Sequence, residues 1–205
     1  MSDPGPLFAR LGSMLGSGEP IETISTDLWS RFGAELAVMV LDCCGFTRIT
    51  RKLGIERYLA GLFEARELVM PVLKRHGCVG CRTEADNISA AFPDSPSALE
   101  AALASRILVR GRSIGRENGE DLRVSIGIGF GKVLYCPVCG AFGDEMNLAS
   151  KLGEDIAGPD EILLTPAAWS ALPAGRRELF TRASAEVSGI GMDYYRLDPR
   201  DCSSP

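Results

Sequence analysis

The stretch "CRTEADNISAAF", residues 81–92, places three ionisable side chains at alternate positions and then turns apolar. Successive side chains of a β-strand point to opposite faces, so Arg82, Glu84 and Asp86 share one face. Charged groups beside a buried segment are costly unless another group compensates them. The stretch therefore predicts two strands joined by a turn near residues 85–87, with a charged ligand or partner facing them.

Strands and helices alternate on both sides of this hairpin. "ELAVMVLDC" is typical of a buried central strand, and residues 55–75 have helical spacing. A further helix begins in "DSPSALEAAL", and "DLRVSIGIGFGKVLY" predicts a long strand. Three alternate glycines in that strand indicate that a backbone or a ligand comes close to it. This order of elements predicts an α+β domain with helices packed on a mixed sheet.

Size and charge limit the classes of protein that fit. The chain has 205 residues, which suits one domain, with residues 1–34 as an N-terminal arm or lead-in helix. Its net charge of −5 argues against a nucleic-acid partner. No apolar run reaches the length of a membrane span, and the N-terminus lacks the pattern of a signal peptide. We therefore expect a cytoplasmic protein.

Two carboxylates are expected at the same end of the sheet. Asp42 ends the first strand, and Asp86 lies at the hairpin turn. Two hard oxygen ligands suit Mg²⁺ or Mn²⁺, which usually take one or two carboxylates plus substrate phosphates. Gly45, Phe46 and Thr47 follow Asp42 and lead into a helix, whose first N–H groups can bind phosphate oxygens.

A second polar pair lies on a later helix. Asn147 and Lys151 are four residues apart and therefore share one helical face. An amide and a cation presented together can orient a sugar and neutralise a phosphate. Taken alone, each pair has a simpler interpretation, as a strand-end acid or a solvated helix face.

The segments "LDCCGFT", "RTEADNISAAF" and "FGDEMNLASK" together resemble the three signature segments of the class III nucleotide cyclase catalytic domain. The resemblance covers roughly residues 36–197. It implies a ferredoxin-like βαββαβ core and a catalytic domain over residues 35–205. It also implies a homodimer with active sites at the interface. In that family the ribose 3′-hydroxyl of a nucleoside triphosphate attacks the α-phosphate and pyrophosphate leaves, assisted by two metal ions.

The resemblance also assigns roles to individual residues. Asp42, Asp86 and the main-chain carbonyl of Cys43 match the positions that bind the two Mg²⁺ or Mn²⁺ ions. Asn147 matches the asparagine that orients the ribose. Lys151 stands where the family has a phosphate-binding arginine, so it keeps the charge but loses the two-pronged guanidinium.

The two base-reading positions depart from the family pattern. Adenylate cyclases have a lysine where this chain has Arg82, and an aspartate or threonine where it has Gly140. The Glu/Cys pair of guanylate cyclases is also absent. A long arginine prefers carbonyl acceptors, as on guanine, uracil or cytosine. It also leaves less room, which favours a pyrimidine, UTP or CTP, as in the similar bacterial antiphage (Pycsar) cyclases. Glu84 is an alternative acceptor, so GTP and ATP stay open. An inactive cyclase-like module that binds nucleotide or a partner protein is the alternative of another class.

Four of the seven cysteines form two CxxC pairs, Cys78 with Cys81 and Cys136 with Cys139. If Arg82 and Gly140 flank one base, the two pairs lie close together. Four thiols in two such pairs match a structural zinc site. The alternatives are four small buried apolar side chains, or a redox switch beside the substrate pocket.

Overall fold

The structure is a computed structural model that describes residues 5–110, 112–114, 120–187 and 189–198. Its strands are β1 (Gly33–Cys44), β2 (Gly80–Glu84), β3 (Asn87–Phe92), β4 (Ser113–Ile114), β5 (Glu120–Asp121), β6 (Arg123–Cys136), β7 (Gly140–Phe142), β8 (Ile162–Leu164), β9 (Phe180–Val187) and β10 (Ile190–Leu197). Its helices are α1 (Gly5–Gly16), α2 (Ile21–Phe32), α3 (Phe46–Leu53), α4 (Ile55–Arg75), α5 (Ser95–Val109), α6 (Asp144–Ser150), α7 (Pro166–Ser170) and α8 (Ala174–Arg177). A π-helix, Lys151–Ile156, continues α6.

Eight of the strands form one mixed sheet in the order β2-β3-β1-β6-β8-β10-β9, with β7 paired to β6. β1 is antiparallel to both β3 and β6, whereas β6 and β8 are parallel. The four strands β2, β3, β1 and β6 have the spatial order of a ferredoxin-like βαββαβ core. The predicted α+β fold is therefore confirmed.

Helices cover both faces of the sheet. Met39 and Leu41 of β1 lie in the main core, to which α4 and α5 contribute most of the helical side chains. Val38 and Val40 point to the other face, where they cluster with Ala149 of α6. Because β1 is buried on both faces, its sequence is an unbroken apolar run rather than an alternating one.

The glycines of β6 let α6 and the π-helix approach the sheet closely, as the sequence predicted. A Cβ at Gly127 would overlap the carbonyl of Ala149 and would lie 2.6 Å from the backbone nitrogen of Gly153. A Cβ at Gly129 would lie 2.5 Å from the carbonyl of Glu145. The close neighbour is thus another backbone, one of the two alternatives that such glycines indicate.

The N-terminal segment is where the sequence predicts an arm or a lead-in helix. It forms two helices, and β1 already begins at Gly33. Leu7 of α1 is buried with Cys136 and Cys139, at the end of β6 and in the turn that follows. The ring of Phe8 packs edge-on against Phe142 of β7, with centroids 5.4 Å apart. α2 has helical spacing of its own, at Ile24, Leu28 and Phe32, and these residues pack against α1 and β6.

The helical segment after β7 changes character along its length. α6 ends at Ser150, and the π-helix that continues it runs from Lys151 to Ile156.

No described helix combines the length and apolar character needed to cross a bilayer.

Candidate active site

The pairing of β1 with β3 brings the two predicted metal acids together. Asp42 lies opposite Asn87, the first residue of β3, and Asp86 immediately precedes it in the turn. The backbone N–H of Cys43 donates to the carbonyl of Asp86, with 3.3 Å between nitrogen and oxygen. The end of β1 and the β2–β3 turn therefore meet at one end of the sheet, as the sequence predicted.

The electrostatics of this end disfavour negative charge. Burial raises the pKa of Asp42 to about 6, and the charges of Asp86 and Glu154 add to the effect. The pKa of Glu154 is also raised, first by burial and then by the neighbouring Asp155 and Asp86. Half-buried carboxylates that repel one another are stabilised by a cation, so the charge distribution favours a positive ligand here.

The donor set fits Mg²⁺ or Mn²⁺. Asp42, Asp86 and the carbonyl of Cys43 offer oxygen ligands only, which these hard cations prefer. Across the residues that the structure describes, no three His, Cys, Asp or Glu side chains converge in a metal-binding arrangement. Two carboxylates are sufficient where water and phosphate oxygens complete the coordination, as is usual for Mg²⁺.

Two residues of α4, which the sequence did not reveal as part of the site, contact this end of the sheet. The hydroxyl of Tyr58 lies 3.3 Å from the carbonyl oxygen of Cys43 and 3.4 Å from Oδ2 of Asp86. The guanidinium of Arg66 donates to the carbonyl of Ala85. Tyr58 is only 1% exposed and occupies an apolar position of the helix. A tyrosine in such a stripe is the signal that could have found it, because a buried hydroxyl usually requires a partner.

The turn after Asp42 leads into α3 through a glycine in a left-handed conformation. Gly45 precedes α3 with φ of +94°, a left-handed conformation that favours glycine. Phe46 and Thr47 form the exposed first turn of α3. The ring of Phe46 packs edge-on against Tyr58, with centroids 4.9 Å apart, and this contact fixes the turn beside the metal acids.

The structure brings the two predicted base-reading positions together. The guanidinium of Arg82 donates to the main-chain carbonyl of Cys139. A Cβ at Gly140 would lie 3.4 Å from both Cδ and Nη1 of Arg82. Together they line a small cleft, which Tyr135 and other residues complete. Glu84 is exposed at the end of β2, and its charge acts on Glu154.

Asn147 and Lys151 remain one helical turn apart, because the N–H of Lys151 donates to the carbonyl of Asn147. Asn147 is exposed. Within the described ranges, neither side chain makes a hydrogen bond or an ion pair. Neither is therefore bonded in this way to Asp42 or Asp86 of the same chain.

The four cysteines do not converge on one point in the described structure. The sulfur of Cys81 faces α4 and lies 3.9 Å from the sulfur of Met70. Cys136 and Cys139 instead pack against Leu7 of α1. The two pairs therefore lie in different apolar clusters, as small buried side chains do. The zinc site gains no support from this arrangement and stays a prediction.

No family model and no curated protein sequence matches the chain significantly. Several solved structures, however, match it in fold. The chain is 22% identical to an adenylate/guanylate cyclase/hydrolase from Silicibacter pomeroyi, with 82% of this chain and 98% of that one covered and a TM-score of 0.68. The catalytic core of a rhodopsin-guanylyl cyclase with converted specificity, in complex with ATPαS, is 20% identical to this chain. The match covers 81% of this chain and 98% of that one, with a TM-score of 0.66. A structure of adenylate cyclases from Trypanosoma brucei, in their monomeric state, is 16% identical to this chain. The match covers 80% of this chain and 89% of that one, with a TM-score of 0.65.

The chain has the fold of a nucleotide cyclase catalytic domain. The match covers nearly the whole length of these two solved chains, so it extends beyond the sheet to the helices packed on it. Identities of this size show the fold alone. What the cyclase fold does in this chain has to be argued from its own residues.

Proposed function

We propose that this protein is a class III nucleotide cyclase, which converts a nucleoside triphosphate to a 3′,5′-cyclic nucleotide and pyrophosphate. One observation carries the proposal: Asp42 and Asp86 lie together at the end of the sheet, in surroundings that favour a cation. A structural role for two such acids would leave their repulsion uncompensated. The fold supports the proposal, since solved domains of the same fold are named as cyclases.

Asp42, Asp86 and the carbonyl of Cys43 would hold Mg²⁺ or Mn²⁺, two ions per site by the family resemblance. When bound, such ions supply Lewis-acid activation of the ribose hydroxyl and neutralise the polyphosphate. The chain's own groups supply the rest of the site. The N–H groups of the turn at Gly45, Phe46 and Thr47 would bind phosphate oxygens.

The polar pair on α6 completes the site from a second copy of the chain. Asn147 would orient the ribose, and Lys151 would neutralise charge that develops on the transferred phosphoryl group. Neither is hydrogen-bonded or ion-paired to Asp42 or Asp86 of its own chain in the described structure. A homodimer in which each site takes Asp42 and Asp86 from one protomer and Asn147 and Lys151 from its partner would give both polar side chains a role.

Arg82 and Gly140 favour a base with a carbonyl acceptor. Arg82 already donates to a carbonyl, that of Cys139, so a carbonyl group on guanine, uracil or cytosine offers the same type of acceptor. The long side chain of Arg82 leaves less room for the base, which favours a pyrimidine over guanine. Gly140 contributes no side chain that could accept from the amino group of adenine. We therefore propose UTP or CTP as the preferred substrate, with GTP or ATP as the alternative.

The direct test incubates the purified protein and Mn²⁺ with each of the four triphosphates and identifies the products by mass spectrometry. We expect a cyclic nucleotide that Asp42→Ala and Asp86→Ala abolish. Glu186→Ala is the matched control, because this exposed acid lies on β9 at the far edge of the sheet. If ATP is the best substrate, the role given to Arg82 and Gly140 is wrong. If no triphosphate is converted, the protein is an inactive cyclase-like module that binds nucleotide or a partner protein.

Mixing two inactive variants tests the shared site. In an equal mixture of Asp42→Ala and Asn147→Ala, half of the dimers are mixed, and each mixed dimer has one intact site. Activity should therefore return to about a quarter of the wild-type value, if the protomers exchange freely. A mixture that stays inactive, with exchange verified by tagged subunits, would show that each site lies within one chain.

A further inference from the structure

The turn that carries Asp86 holds a strained residue. Ala85 has φ of +49°, in the left-handed region that residues other than glycine rarely adopt. Strain of this kind persists only where the surroundings fix the backbone, and it occurs preferentially at functional sites. The question is therefore which groups hold this turn in place.

Three contacts fix the turn, and two of them come from α4. The N–H of Cys43 donates to the carbonyl of Asp86 from β1. Arg66 donates to the carbonyl of Ala85. The hydroxyl of Tyr58 lies within reach of Oδ2 of Asp86 and of the carbonyl of Cys43. The backbone of the turn and the carboxylate it presents are thus both held from one helix.

We propose that Tyr58 and Arg66 are positioning residues of the metal site. Arg66 holds the backbone of the strained turn, and Tyr58 fixes the orientation of two of the oxygens assigned to the cation. The inference rests on the proposed function, because it assumes that Asp86 binds the ion. It extends that function to two residues outside the three signature segments, on a helix whose sequence indicated packing alone.

The position of Tyr58 supports a role beyond packing. The side chain is 1% exposed, and in the described structure its hydroxyl is bonded only to the two site oxygens. A hydroxyl has one proton, so it donates to one of these oxygens at a time and leaves the other lone pairs free for a cation. A phenylalanine would fill the same core volume and would keep the ring contact with Phe46. The hydroxyl is therefore needed for the site rather than for the core.

The test measures Mn²⁺ binding to the full chain without nucleotide, by the electron paramagnetic resonance signal of the free ion. Asp86→Ala comes first and should abolish binding. Tyr58→Phe should raise the dissociation constant for Mn²⁺ by about 10- to 100-fold, the usual effect of removing a group that orients a metal ligand. Tyr195→Phe is the matched control, because Tyr195 stacks on Trp169 in another part of the core. The melting temperature in EDTA shows whether each variant is folded.

A parallel pair of variants examines Arg66. Arg66→Met should weaken Mn²⁺ binding by about tenfold, whereas Arg66→Lys, which keeps a donor, should lose less. Arg57→Met is the control, since Arg57 is an exposed residue of the same helix.

The outcomes separate the two proposals. If Asp86→Ala abolishes Mn²⁺ binding but Tyr58→Phe and Arg66→Met bind like the wild type, the positioning roles are refuted and the metal site stands. If Asp86→Ala binds Mn²⁺ normally, the metal assignment fails and the positioning roles fail with it. Weakened binding by folded Tyr58→Phe and Arg66→Met, with unaffected controls, supports both.

Discussion

Replacing Asp42 by asparagine should stabilise the metal-free protein. Burial and the charges of Asp86 and Glu154 raise the pKa of Asp42 from 3.8 to about 6. A folded-state pKa above the unfolded value means that the carboxylate is disfavoured in the folded protein. The folded state therefore loses stability as pH rises from about 4 to about 6, and the loss is complete above that range. Asparagine keeps the shape of the side chain and removes the charge.

The magnitude follows from the size of the shift. A rise of about two pKa units corresponds to about 3 kcal/mol at 1.36 kcal/mol per unit. Asp42 is only partly buried, so solvent screening reduces the usable figure to about 1–2 kcal/mol. For a chain of this size, that is a rise in melting temperature of about 2–8 °C.

Thermal unfolding of wild type and Asp42→Asn, in EDTA and in Mn²⁺ from pH 4 to pH 8, measures this effect. In EDTA the variant should melt higher at pH 8, and the difference should disappear towards pH 4. With Mn²⁺ only the wild type should gain stability, so the difference in melting temperature between the two proteins should shrink or change sign. Glu186→Gln controls for removal of an exposed acid. An Asp42→Asn protein that melts below the wild type in EDTA at pH 8 would refute the reasoning, because the charge would then be stabilising.

Three other substitutions check the fold, each by urea denaturation. Gly127→Ala should lower the free energy of unfolding by about 3 kcal/mol or prevent folding, because the added Cβ overlaps a helix carbonyl. Gly191→Ala is the control and should cost far less, because Gly191 faces open space. Equal effects of the two substitutions would contradict the close approach of the helix to β6. Ala85→Gly should raise the free energy of unfolding by about 1 kcal/mol by relieving the left-handed conformation, and a clear loss would mean that the turn is not left-handed. Leu7→Ala should lower the free energy of unfolding by about 2–5 kcal/mol, and it should speed the reaction of Cys136 and Cys139 with a thiol reagent. A substitution that changes neither quantity would show that α1 does not pack against these cysteines.

The sequence allowed most of the central sheet to be predicted, because local pattern and tertiary role agree there. The apolar run of β1, the helical spacing of α4 and the β2–β3 hairpin all lie where the patterns placed them. The prediction lacked α2, β7 and the π-helix. β7 and the π-helix are short or irregular, and they form because of what packs against them rather than because of their own periodicity. The 12-residue α2 instead has helical spacing at Ile24, Leu28 and Phe32, from which it could have been predicted.

For the candidate site, too, some residues could be predicted from the sequence and others could not. Asp42 and Asp86 could be placed together because each ends a strand, and strand ends meet at one edge of a sheet. Tyr58 and Arg66 could not be found, because their roles depend on which face of α4 meets the β2–β3 turn. The zinc prediction combined the CxxC spacing with the closeness of Arg82 and Gly140, but neither reveals that Cys81 faces α4 while Cys139 faces α1.

The packing of α1 affects how nucleotide selectivity should be measured. Leu7 is buried against Cys139, whose carbonyl accepts from Arg82, and Phe8 packs on Phe142 of the adjoining strand. The first helix and the cleft lined by Arg82 and Gly140 thus share a wall. If Arg82 reads the base as proposed, displacing that helix, with a bulky N-terminal fusion or by truncation, would shift the carbonyl that orients Arg82 and alter the preference among the four bases. Under the proposal, affinity tags belong at the C-terminus, and a shortened chain would report the selectivity of a different pocket.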